Sequence, residues 1–181
     1  GNTPLICGGN SGDSSKCYSL KEDGAWKFES NLNTAGNNAA TGSVIMNNKL
    51  VLAGGYNGNR LSTIEVVAPN TEPVTLPIRL PFGMSGSCIV PMDTNTFMLI
   101  GGYDGSRRKE TYFFNMANNE RTDGPSLLTG RSYFACHTMN VNGADYIIVA
   151  GSWPGLKSTE YLPKANYRSI GWQKSKNWTV V

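Results

Sequence analysis

The residue pair best placed for chemistry is Cys136-His137, a thiol beside the single histidine of the chain. A Cys–His dyad needs both side chains on one side, so that the imidazole can take the thiol proton. Ala135–Val141 reads as a strand, however, and adjacent strand residues point to opposite faces. The dyad is excluded, and His137 reads as an ordinary strand histidine. A zinc or copper site wants several imidazoles or clustered thiolates, so no metal and no cofactor is expected. The doublets Gly8-Gly9, Gly54-Gly55 and Gly101-Gly102 invite a phosphate-loop reading, but a dinucleotide fingerprint needs a helix after the glycine turn. A polar loop and another apolar run follow each doublet instead. No catalytic set emerges, and binding is the leading class of function.

The doublets matter more as architecture. Each ends a short apolar run: Leu5-Ile6-Cys7, Leu50–Ala53 and Phe97–Ile100, with Ile147–Ala150 running into the weakened copy Gly151-Ser152. The first glycines stand at 8, 54, 101 and 151, in steps of 46, 47 and 50 residues, and a period of this size marks a repeat architecture. Four apolar residues are too few for a helix and suit a strand covered on both faces. Paired glycines suit a turn with positive φ or a close backbone approach. With 181 residues, 21 Gly, 9 Pro and only 16% charged residues, one all-β domain with many turns is expected. The net charge of +3 is mild and scattered, which argues against nucleic acid. No apolar run approaches the length of a bilayer span, and residue 1 opens no signal-peptide pattern.

Taken in order, the chain reads as about fifteen strands. Pro4–Cys7, Cys17–Leu20 and Ala25–Glu29 open it. Thr41–Met46, Lys49–Ala53, Ile64–Ala68 and a weak Val74–Leu76 follow, with Asn47-Asn48 as a tight turn suited to positive φ. The third repeat offers Ser87–Pro91, Phe97–Ile100, Thr111–Asn115 and Glu120–Thr122. The fourth offers Ala135–Val141, Tyr146–Ala150, Thr159–Leu162 and, aligning Asn177-Trp178-Thr179 with Ala25-Trp26-Lys27, a last strand at 177–181. Trp172 is the other candidate for that alignment.

Four short antiparallel strands per repeat of this length describe the blade of a β-propeller. The glycine doublet after an apolar strand, the Tyr after it (Tyr56, Tyr103) and the Trp further on (Trp26) resemble the kelch repeat. Arg131, after Leu128-Thr129-Gly130, looks like the arginine that opens such a repeat. The resemblance implies a kelch-type propeller. Its blades are 1–35, lacking the first strand, 36–80, 81–128 and 129–181, and so few blades form an incomplete ring. Departures are Ser152 in the last doublet, no Trp in repeats two and three, and Gly36-Asn37 in place of the opening Arg in the first connection.

By this alignment Cys88 and Cys136 share one repeat position, the place of Val44. Equivalent residues of neighbouring blades lie outside the Cα spacing of about 4.4–6.8 Å that a disulfide needs, so both read as small buried apolar residues. Cys7 and Cys17 flank a loop on adjacent antiparallel strands, close enough to bridge if directly opposed; the alternative is a free thiol beside the glycines. Their spacing resembles that of cysteine-containing kelch repeats in extracellular animal proteins, which implies a Cys7–Cys17 disulfide and a secreted protein. A cytoplasmic protein is the alternative. Asn177-Trp178-Thr179 also matches the N-glycosylation pattern.

In kelch propellers the loop after the glycines and the inter-blade connection share one face. The resemblance therefore gathers Tyr56, Asn59, Arg60, Arg79 and Phe82 with Tyr103, Asp104, Arg107, Arg108, Arg131, Tyr133, Trp153 and Lys157. Aromatic and arginine side chains together have the composition of interface hot spots, and the excess of cations favours an acidic contact. The expected function is non-catalytic binding of a protein or peptide. The alternatives are a structural part of a matrix, filament or actin bundle, with self-association, and a metal-dependent propeller enzyme.

Overall fold

The computed structural model describes residues 4–9, 15–34 and 42–175. They form two compact units, 1–85 and 86–181. The first unit holds blade 1, with β1 (Leu5–Cys7), β2 (Lys16–Leu20) and β3 (Trp26–Asn31), and blade 2, with β4 (Gly42–Met46), β5 (Lys49–Ala53), β6 (Ile64–Val67) and β7 (Val74–Thr75). The second holds blade 3, with β8 (Cys88–Pro91), β9 (Thr96–Ile100), β10 (Thr111–Asn115) and β11 (Glu120–Asp123). It also holds blade 4, with β12 (Ala135–Val141), β13 (Ala144–Ser152), β14 (Leu156–Pro163) and β15 (Gln173–Lys174); a short helix α1 (Tyr167–Ile170) precedes β15. In every blade the strands lie in sequence order and pair antiparallel. Asn47 and Asn48 turn β4 into β5 at φ of 50° and 59°, the backbone that asparagine tolerates best after glycine.

Each blade has two faces, because side chains alternate across a strand. The residue before the glycines (Cys7, Ala53, Ile100, Ala150) points to what we term face a, and its predecessor to face b. In the first unit, face a of blade 1 packs on face b of blade 2: Leu5, Cys7 and Cys17 meet Leu50, Leu52 and Val67. In the second unit the pairing repeats, with Val90, Met98, Ile100 and Phe113 of blade 3 against Ile147, Val149 and Leu162 of blade 4. The strands are apolar on both faces for this reason. Each fully buried Leu, Ile or Phe contributes roughly 1.5–3 kcal/mol.

Two expectations need correction. The fourth strand of blade 4 is β15, so the equivalent of Trp26 is Trp172 and not Trp178, which lies outside the described residues with the rest of 176–181. Trp172 just precedes Gln173, the partner of Tyr161, and Trp26 pairs with Leu20; by repeat register both tryptophans face the b side of their blades. Trp172 is buried and its Nε1 donates to the Pro125 carbonyl at 2.8 Å, which anchors the chain there.

The cysteines differ more. Cys7–Cys17 forms the disulfide the resemblance implies, across directly paired residues of β1 and β2. Cys88 and Cys136 are also bonded, with Cα atoms 6.1 Å apart, and do not share a repeat position. Cys88 pairs with Ile100, the residue before the glycines, whereas Cys136 pairs with Val149, one residue earlier. That offset of one puts Cys88 on face a of blade 3 and Cys136 on face b of blade 4. The two faces oppose each other at the innermost strands, where neighbouring blades come closest.

Candidate functional site

The loops after the glycines and the connections between blades are welded together by backbone bonds, the same way in each unit. In the first, Gly55 N donates to Met84 O at 2.8 Å and Met84 N to Leu61 O at 2.9 Å. Gly54, at φ 76°, has no room for a side chain: a Cβ would stand 2.5 Å from Met84 O. In the second, Gly102 N donates to Arg131 O at 2.8 Å and Arg131 N to Arg108 O at 3.0 Å. Tyr56 and Arg60 face each other across the first loop, as Tyr103 and Arg107 do across the second. The doublets are thus structural, and they bring each loop against its connection.

The side chains of these loops and connections fall into three groups, exposed, ion-paired and buried. Tyr56, Asn59, Arg79 and Phe82 are exposed in the first unit, with Arg60 partly buried. In the second, Arg107, Tyr133, Trp153 and Lys157 are exposed and Tyr103 is partly buried. Tyr133 has a positive φ of 51°; its amide donates to Gly86 O at 2.8 Å, and its ring leaves no space for a Cβ on Gly86. Trp153 packs edge-on to it, with centroids 6.5 Å apart at 78°. The tight turn Trp153-Pro154-Gly155 starts β14 at Leu156, earlier than Thr159. Ser152, in place of the second glycine, accepts the Ser132 amide and donates to the Ser132 carbonyl, both at 2.9 Å.

Asp104 and Arg108 make a local pair. The guanidinium donates to Asp104 Oδ2 from Nε at 2.8 Å and from Nη2, and Nη1 lies 3.6 Å from Glu110. Partial burial pushes the Asp104 carboxyl up, but the hydrogen bonds from Arg108 and the Ser106 amide and the nearby cation outweigh it and hold it below the usual aspartate range. A depressed carboxylate stabilises the fold above its unfolded pKa, and that contribution disappears as pH falls through the folded value. Carbon-detected titration should therefore find the Asp104 midpoint below that of an ordinary Asp, moving up in Arg108→Ala. An unmoved midpoint would mean the ion pair does not form in solution.

Arg131 is corrected from the expected surface. Its side chain is fully buried and donates to Gly151 O at 2.6 Å, Ser158 O at 2.7 Å, Ser158 Oγ at 2.8 Å and Glu160 Oε1 at 2.9 Å. Glu160, equally buried, also accepts the Leu128 and Thr129 amides at 2.7 and 3.1 Å. Glu65 does the same in blade 2 for the amides of Asn33 and Thr34, at 2.9 and 2.7 Å. These glutamates escaped the sequence reading. Their signal is their shared place, since Glu65 pairs one residue past Ile64 and Glu160 one past Thr159 in the repeat register. Blade 3 has Tyr112 there, and its connection has Pro81, which has no amide to satisfy, and Met84 in place of the arginine.

Residues 38–71 match the family model described as the Kelch motif. The chain carries a Kelch motif over those residues. Its blades are kelch-type blades, four-stranded in three cases and three-stranded among the described residues of the first. A comparison with the curated proteins finds no match. Among the described residues no three His, Cys, Asp or Glu side chains gather as metal ligands, and no helix is long and apolar enough to cross a membrane. His137 is exposed on face a of blade 4, and its neighbour Cys136 is held in the disulfide on the other face.

Proposed function

We propose that this chain is a non-catalytic interaction module that holds a protein or peptide partner on its loop face. The observation that carries the reading is the pair Tyr133 and Trp153, 48% and 68% exposed yet anchored through their backbones. Large aromatic side chains fixed before contact lose little entropy on binding. In the first unit, Tyr56 and Phe82 are exposed aromatics. The charge preference for an acidic contact narrows: Arg131 is internal, Arg60 is partly buried and Arg108 is paired with Asp104, so it rests on Arg79, Arg107 and Lys157. Two disulfides favour an oxidising, extracellular setting.

The test is a peptide selected from a random library on the folded protein. Trp153→Ala should weaken its affinity roughly 30-fold, as loss of about 2 kcal/mol at a hot spot would. Arg107→Ala should instead slow association and flatten its salt dependence, because rim charges act on encounter. If neither Trp153→Ala nor Tyr133→Ala alters binding, the loop face is not the contact surface.

A further inference from the structure

In the second unit, blades 3 and 4 leave a cleft of about 370 Å³ between them, at the end opposite the glycine loops. Small-ligand sites span about 300–1,000 Å³, and this one stands at the lower end. Blade 3 lines it from the β8–β9 turn and the start of β11, with Met92, Asp93 and Glu120. Blade 4 lines it from the connection before β15, with Lys164, Tyr167 and Arg168. The carboxylates thus stand on one wall and the cations on the other. The Tyr167 ring tilts onto Phe113, with centroids 4.7 Å apart at 44°, and gives the cleft an apolar part. From there β15 runs back along β14, where Ser175 N donates to Thr159 O at 3.1 Å. The cleft therefore lies between two blades and not on an outer face of the unit.

The corresponding gap in the first unit is bridged by the protein's own side chains. There the outer strand β3 of blade 1 meets the β6–β7 connection of blade 2. Lys27 Nζ donates to Asn70 Oδ1 at 2.6 Å, and the Asn70 amide donates to Glu29 Oε2 at 2.8 Å. In the second unit no hydrogen bond or ion pair among the described residues joins Asp93 or Glu120 to Lys164 or Arg168. Asp93 Oδ1 instead accepts the Asn95 and Thr96 amides of its own turn, both at 2.8 Å, and Glu120 accepts Asn118 Nδ2 at 2.7 Å. The Arg168 guanidinium lies over the Tyr167 ring, 5.5 Å from its centroid. Burial pushes the Asp93 carboxyl up, but the turn amides, the Thr96 hydroxyl and the nearby Lys164 outweigh it and hold it below the usual aspartate range. Asp93 keeps its charge at neutral pH.

We propose that this cleft binds a small zwitterion of the α-amino acid type. Its carboxylate would sit on Lys164 and Arg168, its ammonium on Asp93 and Glu120, and its apolar side chain along Met92 and the Tyr167 ring. Charge complementarity selects the ligand class. Opposite charges on facing walls, not bonded to each other, fit a molecule that carries both and can take a charge-assisted hydrogen bond from each wall. A ligand of one sign would gain from one wall and be repelled by the other. The site is at the other end of the blades from the loop face, so it is independent of the partner proposed there.

Amide chemical-shift titration of the isotope-labelled 181-residue protein tests it. L-Phenylalanine and L-leucine, added at neutral pH, should shift the amides of 93–96 and 164–168 in a saturable way. Phenethylamine and 3-phenylpropionate each lack one of the two charges, and should bind at least about 10-fold more weakly than phenylalanine. Glu120→Gln should weaken phenylalanine about 10-fold without weakening 3-phenylpropionate. Lys164→Met should weaken phenylalanine without weakening phenethylamine. Amide spectra unchanged away from the cleft verify that both variants fold. No saturable shift up to the solubility limit of either amino acid overturns the proposal. Shifts confined to other parts of the chain overturn it too, as do single-charge analogues that bind as tightly as phenylalanine or variants that bind it unchanged.

Discussion

Arg131→Met and Glu160→Gln should each destabilise the protein by about 3–5 kcal/mol, while the double variant should lose far less than their sum. Either single change leaves an uncompensated charge in a site that is 0–1% exposed, and breaking a buried pair is costly for that reason. The double change removes both charges, although the side-chain amide introduced by Glu160→Gln presents a single oxygen, so one of the Leu128 and Thr129 amides loses its acceptor. Coupling between contacting residues reaches about 0.5–3 kcal/mol, and a fully buried pair belongs at the upper end. Blade 3 supplies the natural precedent, with Met84 and Tyr112 at the two positions and Pro81 where Leu128 has its amide. Urea denaturation of the four proteins measures the cycle. Additive losses, or singles that cost under about 1 kcal/mol, would show that the pair is not what orders this connection.

The unfolded, unreduced protein should contain no titratable thiol, since all four cysteines are paired. Replacing a bridge by two alanines should cost more for Cys88–Cys136 than for Cys7–Cys17. The first closes a separation of 48 residues and the second one of 10. Loop-closure entropy then gives about 4 and about 3 kcal/mol respectively. The larger loss should fall on the second unit, whose innermost strands the Cys88–Cys136 bridge ties together. Two thiols reacting without reductant, or the reverse order of losses in urea, would refute this account.

Much of the molecule was legible in the chain because its signals are local. A run of apolar residues ending in paired glycines encodes both a doubly covered strand and the close approach after it. Gly54, whose Cβ would collide with Met84 O, shows why the pattern recurs. Strand limits came out within a few residues, and Thr111–Asn115 and Ala135–Val141 match the structure. The Cys7–Cys17 bridge lies across one hairpin, so it needed only the resemblance and adjacent strands.

What only the tertiary structure decided turns on register and packing between blades. Cys88 and Cys136 stand one residue apart in the repeat register, and in a strand one residue exchanges the faces. That offset converts two buried thiols into a bridge from blade 3 to blade 4. Arg131 carries a surface residue's composition, yet a carboxylate 29 positions away in sequence draws it inside. Arg108 sits in an exposed loop by pattern, but Asp104 holds it. Trp26 and Trp172 occupy one repeat position and differ only in whether a neighbouring blade covers them. The disulfide between the blades and the difference between the tryptophans depend on which blade lies against which face, a long-range fact that no window of the chain contains.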